Sequence, residues 1–281
     1  MRVLETIEAF RETRGKADAS LGLVPTMGAL HQGHITLIRR ARQENDTIAV
    51  SIFVNPTQFG PQEDFTAYPR DTEGDMALLK GEGVDLVFSP SVDEMYPPWF
   101  DTYVEMGSLA NRLEGEFRPG HFKGVATVVT KLLSIVRPDK TYVGQKDAQQ
   151  ALVIQRLNAD LNLGTEIVVV PTAREPDGLA LSSRNQYLDA LERKAALALY
   201  HSLCLAQLLW QQGNINAEQI RREMRELIDR EPLANIDYIS IADASTMEEL
   251  QAVDCPALVS LAVRIGKTRL IDNILLGEAT Q

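Results

Sequence analysis

Short runs of β-branched residues alternate with helical patterns from Ser20 to Ala173. Parallel strands need long crossover connections, which are usually helices and almost always right-handed. The alternation therefore predicts βαβ units around a parallel sheet that is covered on both faces. The predicted strands are Leu21–Pro25, Thr47–Val54, Val84–Ser89, Lys140–Gly144 and Glu166–Pro171, and the predicted helices span about 33–44, 71–81, 124–136 and 147–161.

Two segments depart from this alternation. Residues 97–120 are rich in Pro, Gly and charge, which predicts a long irregular excursion beside the sheet. After a turn signal at 175–178, the sequence predicts one long helix over 188–210 and a second over 217–230. Strands are then predicted at 236–241, 258–265 and 269–276, the last two joined by a hairpin at Gly266-Lys267. We predict a Rossmann-like doubly wound α/β domain over residues 1–174 and a smaller C-terminal α+β domain over 175–281.

Composition excludes several classes of protein. A length of 281 residues is too great for a single small module. The 39 acidic residues against 28 basic ones give a net charge of −11, which disfavours general nucleic-acid binding. No stretch approaches the roughly 18 uninterrupted apolar residues of a membrane helix, and the N-terminus lacks a secretion signal, so we expect a cytoplasmic protein. Cys204 and Cys255 have no metal-ligand spacing.

The strongest local signal is the segment from Pro25 to His34, which follows the first predicted strand and opens a helix. Open α/β sheets bind ligands beyond the carboxyl ends of their strands, and a helix N-terminus there offers unpaired N–H groups to an anionic phosphate. His31 and His34 are three residues apart, so both imidazoles can face one side of the first turn. Gly33 would let a nucleotide press against the backbone. Two surface histidines beside an ordinary turn are the alternative, because H-x-G-H alone is a short motif.

A second signal lies in the segment 177–185. Ser182 and Ser183 supply hydroxyl donors for phosphate, and Arg184 can make a forked contact to two oxygens. Such a loop could close over a triphosphate. The alternative is a polar helix cap at one of the two serines.

Two further segments also combine a strand end with polar side chains. After the strand that ends at Gly144, Lys146 could place a charge near phosphate, and Gln150 could face the same crevice one turn later. Asp147 could cap the helix, and a purely structural role for it stays open. Gln58, in a loop after another strand, has the donor and acceptor that suit a hydroxylated, carboxylated small molecule. Three of the four segments fall at predicted carboxyl ends of strands and one at the domain junction, so we interpret them as one site.

Six motifs, in order along nearly the whole chain, match one protein family. They are Pro25-Thr26-Met27-Gly28 through His34, Asn55-Pro56-Thr57-Gln58-Phe59, Ala67-Tyr68-Pro69-Arg70, Arg118-Pro119-Gly120-His121-Phe122, Gly144-Gln145-Lys146-Asp147, and Leu181-Ser182-Ser183-Arg184-Asn185. At these residues the chain resembles the pantothenate synthetases, also called pantoate–β-alanine ligases, within the nucleotidyltransferase superfamily that has an H-x-G-H signature. Six ordered motifs are far more specific than H-x-G-H alone.

The resemblance implies a ligase reaction in two steps. ATP and pantoate form pantoyl adenylate with release of pyrophosphate, and the amine of β-alanine then displaces AMP to give pantothenate. The family also implies a homodimer that forms through the larger domain. Closure of the C-terminal domain, acting as a lid, would shield the adenylate from water.

The resemblance also assigns residues to the substrates. The catalytic residues would be His31, His34, Lys146 and Arg184. They would stabilise charge on the α-phosphate and the departing pyrophosphate, with His34 as the acid. Gln58 and Gln150 would hold pantoate and β-alanine, and Ala173 stands where the family commonly has Val. The ATP-binding residues would be Met27, Gly28, Ala29, Leu30, His31, Gln32, Gly33, His34, Gly144, Gln145, Lys146, Asp147, Ala173, Leu181, Ser182, Ser183 and Arg184.

The family implies Mg²⁺ as well, for which Asp75 is the candidate ligand. The segment 70–75 aligns with a region that can contribute acidic metal contacts, but Gly74 supplies no carboxylate. Magnesium keeps several waters and relies on substrate phosphates, so one protein carboxylate would suffice.

Two other classes of function stay open at this point. One is a nucleotidyltransferase that passes an adenylyl group to a phosphorylated acceptor and stops there, against which the amides of Gln58 and Gln150 argue. The other is a non-enzymatic nucleotide-binding regulator, against which the two histidines, Lys146 and Arg184 argue.

Overall fold

The computed structural model describes residues 1–15, 19–61, 63 and 65–277. The chain forms two compact units. The first comprises Met1–Gln145 and Gln149–Pro171, and the second comprises Lys146–Ala148 and Thr172–Gln281.

Over the described residues, the first unit contains a six-stranded sheet in which every paired strand is parallel. The strands are β1 (Arg2–Leu4), β2 (Leu21–Thr26), β3 (Thr47–Ile52), β4 (Leu86–Phe88), β5 (Lys140–Gly144) and β6 (Glu166–Val170). The five predicted strands are confirmed, with small differences at their ends. β1 was not predicted because it has only three residues and its first two are exposed, so it shows no apolar run.

The described helices of the first unit are α1 (Ile7–Arg14), α2 (Gln32–Glu44), α3 (Thr72–Gly81), α4 (Val92–Met95), α5 (Glu114–Phe117), α6 (His121–Val136) and α7 (Ala148–Asp160). The four predicted helices are confirmed as α2, α3, α6 and α7, whereas α1, α4 and α5 were not predicted. α6 begins three residues before the predicted start, directly after Gly120, whose φ of 84° ends the preceding segment. Residues 97–120 contain only short helical turns, as expected of an irregular excursion.

The strand order of this sheet is β1-β4-β3-β2-β5-β6. From β2 the chain moves through β3 to β4 in one direction, and through β5 to β6 in the other. Right-handed crossovers therefore place helices on both faces, as the predicted doubly wound fold requires. The order reverses at β2 and β5, and the carboxyl ends of strands at such a switch point border a ligand-binding crevice.

The second unit contains, within its described residues, a three-stranded antiparallel sheet in the order β7-β8-β9. Its elements are α8 (Ala190–Ala195), α9 (Leu197–Gln211), α10 (Ala217–Ile228), β7 (Ala234–Asp243), β8 (Ala257–Ile265) and β9 (Thr268–Leu276). The helices pack on the sheet around a buried apolar cluster that includes Leu199, Ile220 and Leu261. The hairpin at Gly266-Lys267 is confirmed, with Gly266 at φ 57° and Ile265 opposite Thr268.

The prediction of one continuous helix over 188–210 is wrong. The Asp189 carboxylate accepts hydrogen bonds from the amides of Leu191 and Glu192, both at 2.8 Å, so a helix starts at Ala190. At Ala196 the chain makes a tighter turn, in which the Leu199 amide donates to the Ala196 carbonyl, and this separates α8 from α9. Alanine-rich sequence favours helix on both sides of the break, so composition alone did not reveal it.

Candidate active site

The loop between β2 and α2 has an unusual backbone. Gly28 has a φ of 80° and Ala29 a φ of 49°, so two successive residues adopt left-handed conformations. The Gly28 amide donates to Thr26 Oγ1 at 3.2 Å, and the amides of Ala29 and Leu30 donate to the Asp75 carboxylate. The Leu30 side chain is buried in the core, so any contact of this residue with a ligand would be through its backbone.

His31 and His34 cap the helix that they open. His31 is the N-cap of α2, and its Nδ1 accepts the Gly33 amide at 3.1 Å. In return, His34 Nδ1 accepts the His31 amide at 3.2 Å, so the two imidazoles form a reciprocal capping box. The Gly33 amide is thus paired within the protein, because an imidazole nitrogen accepts its hydrogen bond as a capping oxygen would.

These two hydrogen bonds fix the state of the imidazoles. A ring nitrogen can accept a hydrogen bond only when it holds no proton, so each ring is neutral with its proton on Nε2. The ring centroids are 4.2 Å apart and the planes are inclined by 46°. The two rings therefore lie side by side at the start of α2, after the carboxyl end of β2, which is the edge of the sheet where this class of fold binds ligands.

Gln58 lies beside this loop, as its position after β3 led us to expect. Its Nε2 donates to Met27 Sδ at 2.9 Å. Gln58 ends a short 3₁₀ turn, Pro56–Gln58, whose cap is Asn55. The structure therefore brings together the amide predicted to bind pantoate and the first residue of the predicted ATP segment.

Buried Asn55 holds the Gln58 side chain in place. Asn55 is 1% exposed, and its Nδ2 donates both to Gln58 Oε1 and to the Gly124 carbonyl, each at 3.1 Å. Its Oδ1 accepts from Tyr96 Oη at 2.9 Å. Asn55 belongs to one of the six family motifs, but its contacts with Tyr96 and Gly124 could not be predicted because both residues are distant in the sequence.

His121 supports the backbone of the same turn. It is 9% exposed, and its Nδ1 lies 2.9 Å from the Gln58 carbonyl, to which it can donate. Burial, assisted by the charge of Arg118, lowers the pKa of His121 to about 4, so the ring is neutral near pH 7. Arg118 makes a two-point ion pair with Glu63, at 2.6 and 2.7 Å. His121, at the start of α6, thus contacts the Gln58 turn, and Arg118, just before α6, contacts Glu63.

The predicted residues after β5 are divided between the two units. Gly144 ends β5, and Gln145 begins a 3₁₀ turn that runs to Asp147. Lys146 belongs to the second unit, where its carbonyl accepts from Asn273 Nδ2 at 2.8 Å and its Nζ lies 3.6 Å from Asp147 Oδ1. Asp147 directly precedes α7, in agreement with its predicted place at a helix start.

Gln150 lies half-buried in the first turn of α7. The neighbouring Gln149 is buried, and its Nε2 donates to the carbonyls of Leu109 and Arg112 at 2.9 and 2.7 Å. Its Oε1 accepts the Glu114 amide at 3.0 Å. Gln149 thus ties α7 to the 97–120 excursion and fixes the start of the helix that presents Gln150.

The remaining predicted residues lie in a loop of the second unit. The Leu181 amide donates to the Ala173 carbonyl at 3.0 Å, which closes the loop at its base. Ser182 Oγ accepts the Arg184 amide at 3.3 Å and caps a 3₁₀ turn over Ser183–Tyr187, so the capping alternative is realised at Ser182. Ser183 and Arg184 are half-buried.

A buried ion pair supports this loop. Arg174 donates to both carboxylate oxygens of Asp272, at 2.6 and 2.9 Å, and to the Gly178 carbonyl at 3.0 Å. The guanidinium carbon also lies 4.8 Å from the centre of the Tyr200 ring. Neither Arg174 nor Asp272 was singled out from the sequence, since nothing local marks two residues 98 positions apart as partners.

The surroundings of Asp75 do not fit a metal ion held by protein side chains. Asp75 is 3% exposed, and each of its oxygens already accepts a backbone amide. In the part of the chain that the structure describes, no group of three or more His, Cys, Asp or Glu side chains is placed to hold a metal. The assignment of Asp75 to Mg²⁺ stays a prediction from resemblance. Among the same residues, no helix has the length and apolar character needed to cross a bilayer.

The first unit thus belongs to a definite class of protein. It is a doubly wound α/β fold with hydrogen-bonding side chains at the carboxyl ends of the strands beside its switch point, where such folds bind small ligands. A family model described as pantoate-beta-alanine ligase matches residues 2–275. A pantothenate synthetase of Roseiflexus castenholzii is 57% identical over 276 residues, which cover 98% of this chain and 99% of the relative.

Solved structures agree with this match. The pantothenate synthetase of Thermus thermophilus superposes with a TM-score of 0.94 at 45% identity, over 98% of this chain and 99% of that one. The pantoate-beta-alanine ligase of Francisella tularensis, complexed with beta-gamma ATP and beta-alanine, gives a TM-score of 0.82 at 39% identity, over 98% and 97%. The chain belongs to the pantoate–β-alanine ligase family.

Proposed function

We propose that the chain is an ATP-dependent ligase that joins pantoate to β-alanine through a pantoyl adenylate and releases AMP and pyrophosphate. Membership of the family over residues 2–275 supports the activity. The Francisella tularensis relative, whose structure contains beta-gamma ATP and beta-alanine, supports two of the three substrates.

In the first step, a pantoate carboxylate oxygen attacks the α-phosphorus of ATP. The bond from that phosphorus to the oxygen that bridges to the β-phosphate breaks, and pyrophosphate leaves. Both reactants are anions, so their repulsion must be offset before they align. Catalysis of this step therefore depends mainly on positioning and on groups that stabilise negative charge.

The observation that best supports this proposal is the state of the two imidazoles. The hydrogen bonds at Nδ1 hold His31 and His34 neutral, each with a proton on Nε2. We assign these Nε2–H groups as donors to oxygens of the α-phosphate and of the departing pyrophosphate. Donors fixed before the substrate arrives need no reorganisation during the reaction.

Gln58 is proposed to bind pantoate. Its amide offers a donor and an acceptor, which suit the hydroxyl and carboxylate groups of pantoate better than a phosphorylated acceptor. Its position beside Met27 places it next to the segment assigned to ATP. Gln150 is assigned to the same substrate by resemblance.

In the second step, the neutral amine of β-alanine attacks the acyl carbon of the adenylate. The new C–N bond forms, the nitrogen loses a proton, and AMP leaves with the electrons of the acyl–oxygen bond. The adenylate is already activated, so no covalent enzyme nucleophile is needed. Neither Cys204 nor Cys255 has a role in this scheme.

The other assignments from resemblance complete the proposal. Lys146 and Arg184 are assigned to the phosphates of ATP, and residues 1–174 to the binding of ATP and pantoate. A homodimer and a cytoplasmic location are proposed on the same basis. Light scattering of the purified chain, with twice the 31.2 kDa protomer mass expected, checks the dimer.

One assay separates the ligase from the other classes of function. The protein is incubated with ATP and pantoate, with and without β-alanine, and AMP, pyrophosphate and amide are measured. A ligase releases AMP in equal amount with a new amide only when β-alanine is present. Adenylyl transfer without an amide, or no turnover at all, would contradict the proposal.

The role of His34 is tested by two substitutions. His34→Ala removes both the donor and the helix cap, whereas His34→Gln keeps an acceptor for the His31 amide. We expect pyrophosphate release to fall by about 10² to 10³ in His34→Ala, since one lost donor costs about 3 kcal/mol of barrier. His34→Gln should lose less, because its NH₂ group is still a donor. Near-normal turnover of His34→Ala would remove His34 from the mechanism.

A further inference from the structure

The segment before the two histidines is held by one carboxylate from another helix. Asp75 lies in the first turn of α3, and its Oδ1 accepts the Leu30 amide at 2.7 Å. Its Oδ2 accepts the Ala29 amide at 2.9 Å. Each oxygen thus binds one of two successive amides, more than 40 residues earlier in the chain.

This stretch of backbone needs such support. Gly28 and Ala29 both have positive φ, at 80° and 49°, and alanine adopts that conformation only at an energetic cost. The space is also restricted, because a Cβ added at Gly28 would lie 3.0 Å from Asp75 Oδ2 and 3.2 Å from Ile52 Cγ2. Two hydrogen bonds to an ionised acceptor are stronger than neutral ones and can stabilise the strained conformation.

Burial makes another role for this carboxylate difficult. Desolvation raises the pKa of Asp75, while the hydrogen bonds from Leu30 and Ala29 oppose that shift. A negative charge close to the segment assigned to ATP would by itself repel a phosphate. The Asp75 charge can be tolerated next to the segment assigned to ATP because hydrogen bonds from two amides offset much of it.

We infer that Asp75 is a positioning residue that holds the amides of Ala29 and Leu30 and thereby places His31 and His34 for the reaction. The inference rests on the proposed function, since it takes the two imidazoles to act on ATP. Leu30 directly precedes the N-cap His31, so the orientation of the peptide that follows Leu30 sets the start of α2. This role differs from that of a Mg²⁺ ligand, and the two can be told apart.

The test uses Asp75→Asn, which has nearly the same shape but replaces one acceptor with an NH₂ group facing an amide. The control is Asp93→Asn, which removes the same charge from an exposed position in the first turn of another helix, α4. We expect kcat for pyrophosphate release to fall by about 10² in Asp75→Asn, as for a reacting group misplaced by about 1 Å. The control should retain normal kcat.

The Mg²⁺ dependence separates positioning from metal binding. A positioning residue leaves the Mg²⁺ concentration for half-maximal activity unchanged, while kcat falls. An increase of tenfold or more in that concentration, with kcat restored at saturating Mg²⁺, would overturn the inference and support a metal ligand.

A double substitution asks whether Asp75 acts through the imidazoles. In a His34→Ala background, Asp75→Asn should cost a much smaller factor than in the unmodified chain, because coupled residues are not additive. An equal factor in both backgrounds would contradict the inference. Normal turnover of His34→Ala alone would instead contradict the proposed function.

Amide hydrogen exchange tests the two hydrogen bonds to Asp75 without any measurement of activity. In the unmodified protein, the Ala29 and Leu30 amides should exchange slowly although they lie in a loop. In Asp75→Asn both should exchange faster, and in Asp93→Asn neither should change. Fast exchange of these two amides in the unmodified protein would overturn the inference even if Asp75→Asn proved too unstable to assay.

Discussion

Gly124 of α6 packs directly against the turn that presents Gln58. A Cβ at this position would lie 2.3 Å from the Thr57 carbonyl oxygen and 2.6 Å from Gln58 Cα, both of them backbone atoms. Since Cβ atoms essentially never approach other atoms within 3.0 Å, Gly124→Ala must displace the turn or the helix by at least about 0.7 Å, the difference between 3.0 and 2.3 Å. Inserting a methyl group into packed structure costs about 1–3 kcal/mol of stability.

The displacement should affect pantoate more than ATP. Gln58 is the residue proposed to bind pantoate, and a misplacement approaching 1 Å costs on the order of 10² in rate. We therefore expect kcat/KM for pantoate to fall by about 10- to 100-fold in Gly124→Ala, with a smaller change in KM for ATP. The assay is AMP release with pantoate or ATP varied in turn, and urea unfolding gives the accompanying loss of stability.

Gly81, at the end of α3, provides a matched control. A Cβ there would meet no atom within 4 Å, and Gly81 has an ordinary φ. Gly81→Ala should leave kcat/KM unchanged and stabilise the fold by up to about 1 kcal/mol. If Gly124→Ala folds and retains normal kcat/KM for pantoate, the conclusion that α6 sets the position of Gln58 is wrong.

Two further predictions concern stability. The pKa of His121 is lowered to about 4 by burial, below the ordinary value of 6.5, so the stability gained from its neutral form is present above pH 6.5 and is lost as pH falls toward 4. The loss of stability should reach about 3 kcal/mol and be absent in His121→Gln. Urea unfolding across this pH range measures it, and parallel pH profiles of stability for the two proteins would contradict the prediction. Asp272→Ala should cost about 3–5 kcal/mol because it leaves the Arg174 guanidinium, with a side chain only 19% exposed, without its carboxylate partner. Arg222→Ala, which breaks an exposed ion pair with Glu226 at 3.9 Å, should change stability by less than about 0.5 kcal/mol, and equal losses in the two variants would refute the argument from burial.

Much of the fold could be predicted because its strands are buried on both faces. Strands such as Thr47–Ile52 show as apolar runs between polar helices, so the alternation gives both the class of the sheet and the order of its elements. β1 escaped prediction because three residues at a sheet edge produce no pattern. The break at Ala196 escaped because it depends on the hydrogen bonds of one turn rather than on composition.

The site could be predicted only where local sequence determines it. The carboxyl ends of β2 and β3 led to His31, His34 and Gln58, since the ends of neighbouring parallel strands lie at one edge of the sheet. The supports of these residues could not be found in this way. Asp75 accepts the amide of Leu30, which is 45 positions earlier, and His121 contacts the Gln58 carbonyl, which is 63 positions earlier. Such contacts exist only after the chain has folded.

The reciprocal histidine caps have a consequence for how sequences in this position can vary. In the proposed mechanism, a single ring caps the helix through Nδ1 and meets the phosphates through Nε2. Under that proposal, a substitution at either position has to supply an acceptor for a backbone amide and a donor for the nucleotide at the same time.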